Sequence, residues 1–197
     1  MSPEAIPPRL DPLSQAERET LLRLARESIR TALAGLDLPS LAAPAAALRA
    51  HAGVFVSLHD REQLRGCVGN ILGEHPLYEN VARMARSAAF DDPRFAPLTA
   101  DELAAVSIEI SRLSELVPAH SADIVPGVHG IYLKEGEHRA VFLPQVATHH
   151  HWDRDTLLRQ LCLKALLPDD AWTRPDVRLM IFVAEVFSDA EETATLS

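Results

Sequence analysis

Leu64-Arg65-Gly66-Cys67-Val68-Gly69 places one of the chain's two cysteines between two glycines and two residues after an arginine. A thiolate is a nucleophile and a redox group, and a guanidinium on the same strand face favours it electrostatically. If the hexapeptide is extended, Leu64, Gly66 and Val68 share the core side and Arg65, Cys67 and Gly69 the other. The glycines let a ligand or another backbone come near. The pattern reads as an anion site holding a nucleophile, with Cys67 the candidate catalytic group and Arg65, Gly66 and Gly69 shaping the site. A quieter reading stands beside it. Free cysteine often packs as a small hydrophobe, glycines serve bulges and tight crossings, and Arg65 pairs with a carboxylate such as Asp92. No histidine close to Cys67 in sequence offers itself as a base.

Asp91-Asp92-Pro93-Arg94-Phe95 is the second concentration of unusual residues. Proline forces its predecessor extended, and the Asp92 carboxylate can accept from turn N–H groups. Arg94 either holds an anion, substrate or partner, or forms half of an internal ion pair. Gln145, after Leu143-Pro144, presents its amide at a strand end or ties down a loop. His149-His150-His151 suggests a metal, but consecutive side chains diverge and two convergent ligands are too few for zinc. The triplet is expected in a solvated loop capping the next helix, with no metal site and no cofactor. Cys162 is expected in the core, and Trp152 and Trp172 as covers of the same helix.

These residues need elements to hold them. Ser14 and Glu17 form a capping box before Leu21, Leu24, Ala25, Ile29, Ala32, Leu33 and Leu36, which predicts a long helix ended by Gly35 and Pro39. Residues 1–13 read as a flexible arm and 14–197 as the folded domain. Gly53–Leu58 and the hexapeptide are expected as a hairpin. A helix starts at Pro76, with a stripe of Leu77, Val81, Ala85 and Ala88. Val106, Ile108 and Ile110 alternate with polar residues, a strand with one wet face. Glu135-Gly136 turns a second hairpin. Asp153 caps a helix with a stripe of Leu157, Leu158, Leu161, Cys162, Ala165 and Leu166, and Val177–Phe187 reads as one long strand. Strands in hairpins with helices between them imply an α+β fold with mainly antiparallel sheet.

The whole chain sets outer bounds. It has 197 residues, 47% hydrophobic, and a net charge of −9, which disfavours binding to a phosphate backbone. No apolar run approaches a membrane span, no secretory signal is visible, and two distant cysteines make no disulfide framework. The expected partners therefore exclude nucleic acid and membrane, and the expected location is the cytoplasm.

Taken together, the hexapeptide, Ala89-Phe90-Asp91-Asp92-Pro93-Arg94-Phe95-Ala96-Pro97-Leu98, Leu143-Pro144-Gln145-Val146-Ala147, Trp152-Asp153 and Leu161-Cys162 occur in one order. In this the chain resembles the AMMECR domain family, as a bacterial-type member, from about Gly53 to Phe187. The resemblance implies two intertwined α+β lobes with mainly antiparallel sheets and the hexapeptide near a cleft between them. It implies company with Memo-like proteins or radical S-adenosylmethionine proteins, and it implies no established reaction. Arg65, Gly66, Cys67, Gly69, Arg94 and Gln145 match family motif positions. Two departures stand out: Val68 where isoleucine is commoner, and Asn70 where a small hydroxyl residue is usual. Two functions follow as expectations. One is a binding module that works with a partner such as a Memo-like protein. The other is an enzyme using Cys67 on a small anionic or amide-bearing substrate, oriented by Arg65 and Arg94.

Overall fold

A computed structural model describes residues 7–190. In chain order the elements begin with helices α1 (Gln15–Leu33) and α2 (Ala46–Arg49), strands β1 (Val54–Asp60) and β2 (Gln63–Asn70), helices α3 (Leu77–Phe90) and α4 (Ala100–Ala105), and β3 (Ser107–Leu113). There follow β4 (Val117–Pro118), β5 (Gly130–Glu135), β6 (His138–Phe142), α5 (Pro144–His150), α6 (Arg154–Lys164), β7 (Arg178–Phe182) and β8 (Ala184–Ser188). The fold is α+β, with two four-stranded sheets ordered β2-β1-β3-β8 and β4-β7-β5-β6. No helix among the described residues is long and apolar enough to cross a membrane.

Two compact units carry one sheet each. Among the described residues, the larger lobe is Asp11–Leu113 with Glu185–Ala190; the smaller is Ser114–Ala184 with residues 7–10. In the larger lobe Ser14 and Glu17 close the capping box of α1, and Gly35 leaves the helix with φ +69°. Leu21, Ala25 and Ile29 of α1 join Leu77, Val81, Ala85 and Ala88 of α3 over Val54, Val56, Leu58, Ile108 and Ile110 of the sheet. The buried Ser28 hydroxyl ties the two helices by donating to the Ala82 carbonyl at 2.6 Å. In the smaller lobe Ile131, Leu133 and Ile181 pack against Leu157, Leu158, Leu161 and Cys162 of α6. Cys162 is fully buried there, and burial pushes its thiol pKa up.

Several expectations change. The single strand over Val177–Phe187 breaks at Val183 into β7 and β8, one in each sheet. At the break the Ser114 amide donates to the Val183 carbonyl at 3.0 Å, and the Val183 amide donates to the Ser114 hydroxyl at 3.1 Å. The wet face of β3 ends early, because Ser111 is buried. Leu166 leaves the α6 stripe: it is 83% exposed, just past the helix end, with φ +60°. Of the arm expected over 1–13, residues 1–6 lie outside the described residues. Leu13 is buried, its amide donates to Glu185, and the Asp11 carbonyl accepts from Arg112.

Candidate functional site

The hexapeptide lies on β2, the outermost strand of the larger sheet, paired antiparallel with β1. Pairing runs in step from Val54↔Asn70 to Leu58↔Gly66, then slips so that His59 faces Leu64. Arg65 is the residue left without a partner, a β-bulge. The bulge breaks the expected alternation. Gly66 is buried and Val68 packs on the core, but Leu64 is 38% exposed instead of facing inward. Arg65 turns to Glu102, at 2.8 and 3.2 Å, and to the Ala96 carbonyl at 2.9 Å. Its carboxylate is thus Glu102, and Asp92 belongs to Arg94. With the Arg65 guanidinium on it and the Thr99 amide donating to it, the Glu102 carboxyl is held down at about 2.

Both glycines are filled by the protein itself. A Cβ on Gly66 would stand 2.1 Å from the Ala88 carbonyl, so only glycine lets α3 cross β2 this closely. A Cβ on Gly69 would stand 2.3 Å from the ring of Phe55, its cross-strand partner. The ring lies over the glycine and covers its bare backbone.

Cys67 faces Ser57 across the ladder, and the Ser57 hydroxyl donates to Sγ at 3.3 Å. The Cys67 amide and carbonyl turn outward instead, toward the sheet edge, which makes this a close, non-hydrogen-bonded pair. Asp92 Oδ2 accepts from the Cys67 amide at 2.8 Å, and an Arg94 amino group donates to the Cys67 carbonyl at 3.3 Å. The 92–94 turn thereby occupies the edge groups that would otherwise recruit another strand. Asp92 is 5% exposed and grips Arg94 by its amide at 3.1 Å and its guanidinium at 2.9 and 2.7 Å. Those guanidinium bonds hold the Asp92 carboxyl far below the usual carboxylate range, against the opposing effect of burial. The same bonds push Arg94 up. The centre of the Phe95 ring is 5.4 Å from the Arg94 guanidinium carbon and 5.9 Å from that of Arg65, within cation–π reach of both.

Arg65, Gly66, Cys67, Gly69, Asp92 and Arg94 therefore gather on β2 and the turn after α3. Gln145 belongs to the smaller lobe, as the second residue of α5, whose first turn Pro144 opens. The expected loop at His149-His150-His151 is instead the end of α5, closed by His151 with φ 53°. His150 stacks on Trp152 at 4.5 Å, and among the described residues no three His, Cys, Asp or Glu side chains are grouped to hold an ion.

Three residues escaped the sequence reading. Glu109 and Cys67 are the two cross-strand partners of Ser57, one on each side, and His59 stands on the same face of β1. Their signal is the alternation of β1 and β3, whose other face is the apolar core. The His59 Nε2 is buried with no hydrogen bond among the described residues, and none links this ring to the thiol. Asn70, the departure from the usual hydroxyl, exchanges amide hydrogen bonds with buried Asn80 at 2.7 and 2.9 Å, pinning the end of β2 to α3.

The AMMECR1 family model matches residues 22–187. A protein of Methanothermobacter thermautotrophicus is 36% identical over 90% of this chain and 97% of its own. Protein TK0174 of Thermococcus kodakarensis is 38% identical over 70% of this chain and 72% of its own. The crystal structure of PH0010, an uncharacterised protein of Pyrococcus horikoshii, is similar with a TM-score of 0.85 at 31% identity, covering 89% of this chain and 93% of that one. These relatives are archaeal, where the sequence reads as a bacterial-type member.

Proposed function

The chain belongs to the AMMECR1 family, and from that membership we propose a binding module that docks a partner protein, of the Memo-like kind, on the turn 93–97 of the larger lobe. One observation carries the reading: the groups that suggested catalysis are occupied in holding that turn. Arg65 is taken by Glu102, Arg94 by Asp92, and the Cys67 backbone by both members of the second pair. What the bracing presents outward is Arg94, 56% exposed, beside the Phe95 ring. Arginine and aromatic side chains held in fixed geometry are the residue types that dominate protein interfaces, because little side-chain entropy is lost on docking. Co-expression with a Memo-like protein and co-purification tests it. Phe95→Ala should lose the partner while its melting curve stays close to the parent's. Unchanged recovery by both Phe95→Ala and Arg94→Ala would remove the docking role.

The hydrogen bond from Ser57 to the Cys67 sulfur supports a second reading, an enzyme with Cys67 as nucleophile or redox group. A hydroxyl donor stabilises a thiolate, although among the described residues no base is hydrogen-bonded to the thiol. The rate of Cys67 alkylation against pH separates the two. A midpoint well below the reference of about 8.5 favours the enzyme; a thiol inert until the protein unfolds ends that reading.

A further inference from the structure

A groove of about 800 Å³ opens in the smaller lobe, between the end of β4 with the turn that follows it and the 172–180 segment leading into β7. Its size is that of a small-molecule site rather than a protein-docking surface. Pro118, Trp172, Pro175 and Met180 give it an apolar floor, and Lys134, Arg174 and Arg178 supply positive charge. No acidic side chain among the described residues lines it. In a chain of net charge −9, that is a local reversal of sign.

The sheet register makes the reversal sharper. Arg178 of β7 pairs with Lys134 of β5, which pairs in turn with Arg139 of β6, so three cations stand side by side across three strands. Like charges directly opposite one another destabilise a sheet. Arg139 has exposed Glu137 at 3.5 Å and Arg174 has half-buried Glu135 at 3.8 Å, both long pairs. Lys134 and Arg178 have no carboxylate within ion-pair distance among the described residues. A row of this kind is unfavourable by itself and is relieved by an anion lying over it.

We propose that this groove binds a small organic anion, a phosphate or carboxylate on an aromatic body. The anionic group lies over Lys134 and Arg178, and the ring lies against Trp172 and Pro118. The inference is independent of the docking turn, which belongs to the other lobe.

The test is an amide and indole NMR titration of the full chain with 2-naphthyl phosphate. Inorganic phosphate and 2-naphthol serve as half-ligands. Saturable shifts are expected at the Trp172 indole and the amides of 118–121 and 172–180. Each half-ligand should bind at least about tenfold more weakly. Lys134→Gln with Arg178→Gln should weaken naphthyl phosphate by about tenfold or more. The same double variant should melt no lower than the parent, because it removes like-charge repulsion, so lost binding cannot be ascribed to lost fold. Absence of saturable shifts, shifts centred elsewhere, or equal affinity in the double variant would overturn the assignment.

Discussion

Asp92 accepts from the Cys67 amide and from the backbone and guanidinium of Arg94, and it is the most consequential carboxylate of the site. Its pKa is depressed in the folded protein, so its contribution to stability is present above the unfolded value of about 4 and is lost as pH falls below it. The side chain of Asp92 is 3% exposed and that of Arg94 56%, so the loss on removing the charge falls short of that for a fully buried pair. Asp92→Asn should cost about 1–2 kcal/mol at pH 7. The gap between variant and parent in urea denaturation should narrow at pH 3, since the parent's unfolded chain then takes up a proton at position 92 that the folded carboxylate does not. Equal gaps at both pH values would mean the charge is not what matters. The turn itself was legible, because Asp-Pro with a nearby arginine has few other uses. The pairing was not. Arg65, Arg94, Asp92 and Glu102 allow more than one assignment, and the bulge that turns Arg65 toward Glu102 has no residue signature of its own.

At the scale of elements, the helices with strong caps and periodic stripes were readable: α1 and α3 run where the capping box and the Leu-Val-Ala stripe put them. α5 was missed because seven residues are too few for a period to show; its remaining signal was Pro144 at the first helical position. Leu166 shows the converse, a residue that fits the stripe by spacing but falls beyond the helix. The Leu167 amide donates to the Cys162 carbonyl and the Leu166 amide to the Leu163 carbonyl, a Schellman ending that calls for glycine at position 166. A leucine with φ +60° costs about 1–2 kcal/mol, while glycine there loses about 0.5–1 kcal/mol of extra backbone entropy on folding. Leu166→Gly should therefore stabilise the protein by roughly 0.5–1 kcal/mol, visible as a higher melting temperature. A lower one would show that the exposed leucine makes contacts that outweigh its backbone strain.

The larger lobe is stitched together by a residue far along the chain. Glu185 accepts from the Leu13 amide at 3.0 Å and from Arg18 at 3.0 Å, and pairs with Arg112 at 3.1 Å. Arg112 and Glu185 side chains are only 8% and 11% exposed, and burial alone would push Arg112 down. Removing one charge of such a pair strands the other, so Glu185→Gln should cost about 3 kcal/mol. Hydrogen exchange should show the loss in α1 and β3, elements distant from position 185 in sequence. Retained protection there would mean that the sheet holds without its charge bridge. No periodicity or motif announces such a bridge, because its partners lie far apart in the chain and an arginine at position 112 argues against the burial that its phase with Ile108 and Ile110 implies.

The broken strand at Val183 also sets an order of events during synthesis. β8 completes the larger sheet beside β3, yet the ribosome makes all of 114–184 between them. At about 5–20 residues per second, β3 waits several seconds with an open edge and with Arg112 unmatched. The sheet of the smaller lobe, encoded in the continuous stretch from β4 to β7, is in hand before that of the larger lobe. The nascent chain is therefore most exposed to mispairing during that interval, and β3 is the strand at risk.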